Sequence, residues 1–426
     1  MQTVFVNARV LDGTGAAPFD ADVRVDGNRI TDVVRAEQRH PWHGIERIDC
    51  GGATLMPGLI EPHVHLSFID QATPHAFTAT PVEEHLLLSL KHAKRYLDQG
   101  FTAAFSAAAT KPRLDVVVRD AIRSGDHPGP RLLAASVQLT VTGGVGDLRQ
   151  LHLDPGDAMY TRPCDGADEF RRAAREACRD GVDILKIVPS GDTSTPAIPS
   201  ARTLMCDDEV AAVAEVARQQ QRRVAAHARS AESIKMCVRH GIDVLYHATC
   251  ADEEAKDLLE AHKDRVFVAP ALSVTWTRLH ESGKFGLPAS DAIRARIAGD
   301  LDMTVACMKD LHRRGVRVLP GGDYGFMWNP HGNNARDLAF FVDLLGFTPM
   351  EAIVGATRMG GEIMDMPGEL GQVRKGFLAD LLLVDGDPLA DITILQDRAR
   401  LLAIMQDGHF HKPPPPGLGQ RQRAAA

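Results

Sequence analysis

Paired cysteines are missing from this sequence: the seven it has, at 50, 164, 178, 206, 237, 250 and 307, are odd in number and include no Cys-x-x-Cys. The pattern suits reduced thiols better than a disulfide framework or a structural zinc knuckle, with most of the thiols expected as small core residues. Nor does MQTVFVNARVLDGTG show the basic start and apolar run of a secretory leader, and no apolar stretch reaches the ~20 residues that cross a bilayer. A cytoplasmic protein without membrane contact is therefore expected. Lys and Arg form no cluster and the net charge is -8, which argues against nucleic acid as a partner, because phosphate binding needs a concentrated basic face. No Gly-x-Gly-x-x-Gly turn follows an apolar run, which weighs against a doubly wound dinucleotide-binding sheet.

What is present is a hydrophobic content of 44% over 426 residues, enough for a large core and more than one structural unit. Alternation in TVFVNARVL and DVRVDGNRITDVV, with Asp26-Gly27-Asn28 as a tight hairpin, predicts small β structure at the start. GELGQVRKGFLADLLLVDGDP (368–388) and ARLLAIMQDGHFHK (399–412) read the same way near the end. The expected organisation is a β-sandwich from 1–56 and 364–412, a central unit at 57–363, and a flexible C-terminal tail at 413–426.

The central unit alternates apolar runs with amphipathic stretches. The runs begin at GLIEPHVHLSF and continue with FTAAFS (101), RLLAAS (131), DILKIVPSG (183), RVAAHAR (223), DVLYHAT (243), RVFVAPAL (265) and VRVLPGGDYG (316). Between them, Leu86, Leu90, Ala93 and Leu97 recur at helical spacing before Gly100, and Val210, Val213 and Ala217 share a face. Eight strand-helix units predict an α/β fold, a (β/α)8 TIM barrel, with its chemistry at the C-terminal ends of the strands.

His63-Val64-His65 ends the first run. With 18 His in 426 residues, about (18/426)² × 424, or ~0.8, such pairs arise by chance, and a second pair, His409 and His411, shows that a copy can be idle. Context separates them. Alternation points His63, His65 and Ser67 one way, and Lys186, Val188 and Ser190 together on another strand. A lysine facing into a barrel is expensive without a partner. His227 and His247 lie at or near the ends of two more runs, and Asp323 closes the eighth. Singly, each has a bland explanation, a core histidine or a turn aspartate. Together they form a set of neutral imidazoles and a carboxylate that suits Zn²⁺ or a similar ion.

PGLIEPHVH, the strand-four lysine, the single histidines of strands five and six and the strand-eight aspartate resemble the amidohydrolase superfamily. The nearest subgroup is the imidazolonepropionase-like and prolidase-like members with a carboxylated lysine. VFVNARVLDGTG and VRKGFLADLLLVDGDP resemble that family's flanking β-sandwich. The resemblance implies that His63, His65 and Asp323 bind a buried metal, that His227 and His247 bind a more exposed one, and that a CO2-derived carbamate on Lys186 bridges them. It implies a binuclear hydrolase, with two divalent ions, most suitably Zn²⁺, sharing a hydroxide that attacks an amide-type carbon, and Asp323 moving the proton. The substrate would be a small-molecule amide: an N-acyl amino acid, a dipeptide-like compound, an aryl amide or a urea. A lactonase, esterase or deaminase on the same site is the alternative, and Lys186 argues against a deaminase. A homo-oligomer is expected.

Three positions depart from the family pattern. Glu61 stands where many relatives carry Asp, Val145 where prolidase-like members often show His in TGGHGD, and Arg229 where many have an aromatic residue or His. The last two put dipeptide specificity in question. Arg229 should face the site with His227, either contacting substrate or pairing with a loop acid. Of the three tryptophans, two fall in late loops, so Trp276, Phe326, Trp328 and His331 are candidates for an apolar acyl pocket, with loop packing as the alternative.

Overall fold

The computed structural model describes residues 2–38, 41–150, 152, 154, 156, 159–195, 197–287 and 289–418. Among these, eight parallel strand positions follow in chain order: Leu59–Val64, Phe101–Ser106, a third interrupted as Arg131–Leu133 and Ala135–Thr140, then Ile184–Ile187, Arg223–Ser230, Val244–Cys250, Phe267–Ala269 and Arg317–Val318. Consecutive strands pair in parallel, and Ala109 bridges Val137 across the interrupted third position. Helices lie between them, and the fold is a TIM barrel with an attached β-sandwich, as expected. The predicted helix periodicity is visible in Val82–Asp98, whose Ala93 and Leu97 are buried. That helix ends where Gly100 takes φ +83 and its N–H returns to the Leu97 carbonyl, a left-handed stop that suits glycine.

The second unit is one sheet built from both ends of the chain. Its order runs His409–Lys412, Leu401–Gln406, Leu381–Val384, Thr54–Pro57, Gln2–Val10, Phe19–Asp26, Arg29–Arg35, with Glu46–Asp49 also on Gln2–Val10. Thr54–Pro57 runs straight on into the first barrel strand through Gly58, where a Cβ would meet Thr102 Oγ1 at 2.1 Å. Only glycine lets the chain cross there without a clash. Of the expected tail at 413–426, residues 419–426 lie outside the described residues, and Leu418 is buried in the sandwich core. No helix among the described residues is long and apolar enough to cross a membrane.

Candidate metal centre and its cavity

The six residues singled out as ligands converge on one cavity of about 510 Å3 at the C-terminal ends of the barrel strands. His65 Nε2 lies 3.3 Å and His63 Nε2 3.8 Å from Asp323 Oδ1. The ring of His247 is 5.4 Å from that of His63 and 4.4 Å from that of His227. One atom each from His63, His247 and Asp323 falls within a 4.8 Å cluster that could hold an ion.

Their protonation follows from burial. Desolvation pushes His63, His65 and His247 well below the ordinary imidazole range, helped at His63 and His65 by the Lys186 charge and at His247 by Arg229. His227 is lowered by burial and by Arg229. All four rings therefore carry a free lone pair at neutral pH, the form that binds metal. The hydrogen bonds show which nitrogen is free. His65 Nδ1 lies 3.0 Å from the Ala108 carbonyl and His227 Nε2 3.0 Å from that of Gly191; each must donate, leaving Nε2 of His65 and Nδ1 of His227 unprotonated. His65 thus turns a lone pair toward the Asp323 carboxyl. His63 Nδ1, His247 Nδ1 and Asp323 Oδ1 are buried without a hydrogen-bond partner. Polar atoms buried together without partners are unfavourable by themselves, and the set fits a bound cation.

Strand alternation does not set every orientation. His247 and Ala248 have φ of 75° and 49°, and Asp323 has 55°. The pairing of strands five and six slips between Ala228 and Ser230 at this point, so a bulge aims His247 at the centre. Left-handed backbone at non-glycine residues costs on the order of 1–2 kcal/mol and clusters at functional sites.

Lys186 is buried, with Nζ 4.1 Å from the centroid of the Tyr246 ring. Burial lowers its pKa, while Asp323 pulls the other way; the same burial raises Asp323, opposed by Lys186. Four further residues, which the sequence did not single out, hold this arrangement. Tyr246 stacks on His63 at 3.8 Å and donates its hydroxyl to the Pro62 carbonyl. Asn329 Nδ2 donates to the carbonyls of Gly322 and Asp323, and its Oδ1 accepts from Ser273. Phe68 stacks on His65 at 4.1 Å. Asp192 lies 3.3 Å from Arg229 Nε and 3.6 Å from His227 Nε2. Glu61 is buried and accepts from the His63 backbone N–H.

The expected pocket residues divide. Phe326 and Trp328 stack at 4.9 Å and line the cavity together with Phe68, Phe77 and Tyr160; Val145 and Arg229 line it too. Arg229 pairs with Asp192 and donates to Thr249. Ser67, Trp276 and His331 do not line it. Ser67 lies beyond the last strand residue, Val64, where alternation no longer holds, and its Oγ accepts from Thr110 N–H. Trp276 packs on Phe340 and under Arg336. His331 bonds the Phe68 carbonyl and Tyr96 in a cluster with Asp70 and His92, where Arg95 already neutralises Asp70 at 3.2 Å.

Residues 54–410 match the amidohydrolase family profile, and the chain belongs to that family. It is a hydrolase acting on amide bonds. Among relatives, an ochratoxinase from Aspergillus niger is 27% identical over 383 residues, covering 86% of this chain and 76% of that protein. An imidazolonepropionase from Thermoplasma acidophilum is 39% identical over 46 residues, 11% of this chain and 10% of that one. Among solved structures, a prolidase complexed with N-methylphosphonate-L-proline is similar with a TM-score of 0.87 and 29% identity, covering 97% of this chain and 100% of that one. A Xaa-Pro dipeptidase with bound methionine in its active site reaches 0.85 and 26%, over 97% and 100%.

Proposed function

We propose that the protein is a binuclear, metal-dependent amidohydrolase whose substrates are N-acyl amino acids, dipeptide-like amides, aryl amides or ureas. The observation that carries this is the His65 lone pair facing Asp323 Oδ1 at 3.3 Å, inside a set of neutral imidazoles. His63, His65 and Asp323 would hold one ion and His227 and His247 the other, with Lys186 between them as its carbamate; imidazole and carboxylate donors suit Zn²⁺. When bound, the ions supply a Lewis acid for the substrate carbonyl and lower the pKa of a water.

The chain's own residues do the rest. Burial favours the neutral amine of Lys186, which is the form that adds to CO2, giving a carbamate anion and releasing one proton. The product places anionic oxygen donors where a buried amine would otherwise stand without a partner. Asp323, raised by burial, takes the proton of the attacking water and returns it to the departing nitrogen, base first and acid second. The rings of Phe68, Phe77, Tyr160, Phe326 and Trp328 enclose an apolar part of the substrate. Metal analysis of active protein grown with bicarbonate and divalent ions tests the reading. Two ions per chain are expected, and clearly fewer would refute it.

A further inference from the structure

His85 and His92 on Val82–Asp98, and His331 in the loop after the eighth strand, are buried outside the cavity. Each aims one ring nitrogen at the same short turn. His92 Nδ1 lies 2.9 Å from the Leu66 carbonyl, His85 Nε2 2.5 Å from that of Ser67 and His331 Nε2 2.7 Å from that of Phe68. A carbonyl cannot donate, so each of these nitrogens carries the proton. Burial lowers all three pKa values, to about 3 at His92 and about 4 at His331, so the rings are neutral at pH 7. His331 Nδ1 is then an acceptor, for the Tyr96 hydroxyl at 3.2 Å.

Three consecutive carbonyls are thus capped by three imidazoles. His85 and His92 stand two helical turns apart and so face the turn together, and the His331 ring packs on His92 at 4.2 Å. Any buried carbonyl needs a donor, but these belong to a turn with a particular place. It begins at His65, whose carbonyl accepts the Phe68 N–H, and it brings the Phe68 ring onto the His65 ring. It also meets the loop that carries Asp323. The Asp70 N–H donates to the Gly325 carbonyl, Asp70 Oδ1 accepts from the His331 N–H, and a Cβ on Gly325 would stand 2.3 Å from Phe68 Cβ. One clamp therefore bears on candidate ligands from two strands, His65 and Asp323.

We propose that His85, His92 and His331 are positioning residues: through the Leu66, Ser67 and Phe68 carbonyls they hold His65 in register with Asp323 for metal binding. The inference rests on the metal-centre reading and extends it to residues outside the cavity.

The side-chain amide nitrogen of Asn can stand in for imidazole Nδ1 and that of Gln for Nε2, which separates bonding from bulk. In His92→Phe and His331→Phe, Zn²⁺ affinity, measured by competition with a chelating dye, should fall about 10- to 100-fold, the range for groups that orient metal ligands. His92→Asn and His331→Gln should restore part of it, and the crossed variants His92→Gln and His331→Asn should not. Undiminished affinity in both Phe variants overturns the proposal. So do two amides that behave alike at both positions, because a residue that only fills volume does not tell them apart. A Phe variant that fails to fold leaves the two amides at that position to decide in the same way. If the unaltered chain binds no Zn²⁺, the metal reading fails and backbone amide exchange decides the clamp. Exchange across residues 65–70 should quicken in the Phe variants and slow again in the matched amides, and unchanged exchange overturns it.

Discussion

His63 and His65 stand on either side of Val64, the last residue of a barrel strand, with exposures of 1% and 3%. His409 and His411 lie on Leu401–Gln406's outer neighbour, an edge strand of the sandwich, where His409 is exposed and His411 half-buried. The spacing is the same, and the surroundings are opposite. His65 turns an unprotonated nitrogen toward Asp323 beside Lys186 and two more imidazoles. His411 meets Asp98 at 2.7 Å, an acid already bonded by Lys94 and faced by Arg398 at 3.3 Å. One aspartate is left for an ion to satisfy, and the other is satisfied several times over. A two-residue motif therefore says little until the charges that face it are known.

The sharpest break in this comparison comes from Asp323→Asn. It keeps the side-chain shape and removes the proton carrier, so kcat should fall by about 10²- to 10⁴-fold, read by steady-state kinetics with metal content measured alongside. An active Asp323→Asn enzyme would end the assignment of Asp323 as base. Next, Lys186→Ala should lower the bound metal below two per chain and activity by at least about 100-fold, since losing a ligand exceeds the 10–100-fold typical of outer-shell changes. Short-chain carboxylic acids, added as stand-ins for the carbamate, should restore part of both.

Much of this region was legible beforehand because its information is local. Apolar runs of strand length, a histidine or lysine at a fixed distance from the end of each, and barrel closure suffice to bring His63, Lys186, His227, His247 and Asp323 together. The illegible part depends on what closure brings near. Ser67 fails because the chain turns after His65, where the Phe68 N–H returns to the His65 carbonyl, and alternation does not survive the turn. Trp276 and His331 turn into loop and helix packing that no spacing encodes. Tyr246 and Asn329 matter through contacts with Pro62 and Ser273, far away in sequence, and Asp192 stood just past the strand-four run.

Asn329→Ala separates position from ligation. It frees the backbone turn that holds Asp323 without touching a ligand, so kcat should drop about 10- to 100-fold while two metals stay bound. Loss of metal instead would place Asn329 among the residues on which binding depends.

The smallest effect belongs to the second pair. Burial raises the Asp98 carboxyl, but hydrogen bonds from Lys94 and His411 outweigh it and hold the group below its ordinary value of 3.8. A carboxyl lowered on folding stabilises fully above that ordinary value and ceases to do so as pH falls through the folded one. Asp98 is partly solvated, so Asp98→Asn should cost no more than about 1 kcal/mol at pH 7, and the gap in melting temperature should shrink from pH 5 to pH 3. Metal content and kcat should not change. If Asp98→Asn, or His411→Ala, lowered the bound metal, the two pairs would be coupled through the helix Val82–Asp98, and spacing alone would have carried more meaning than the charges around it.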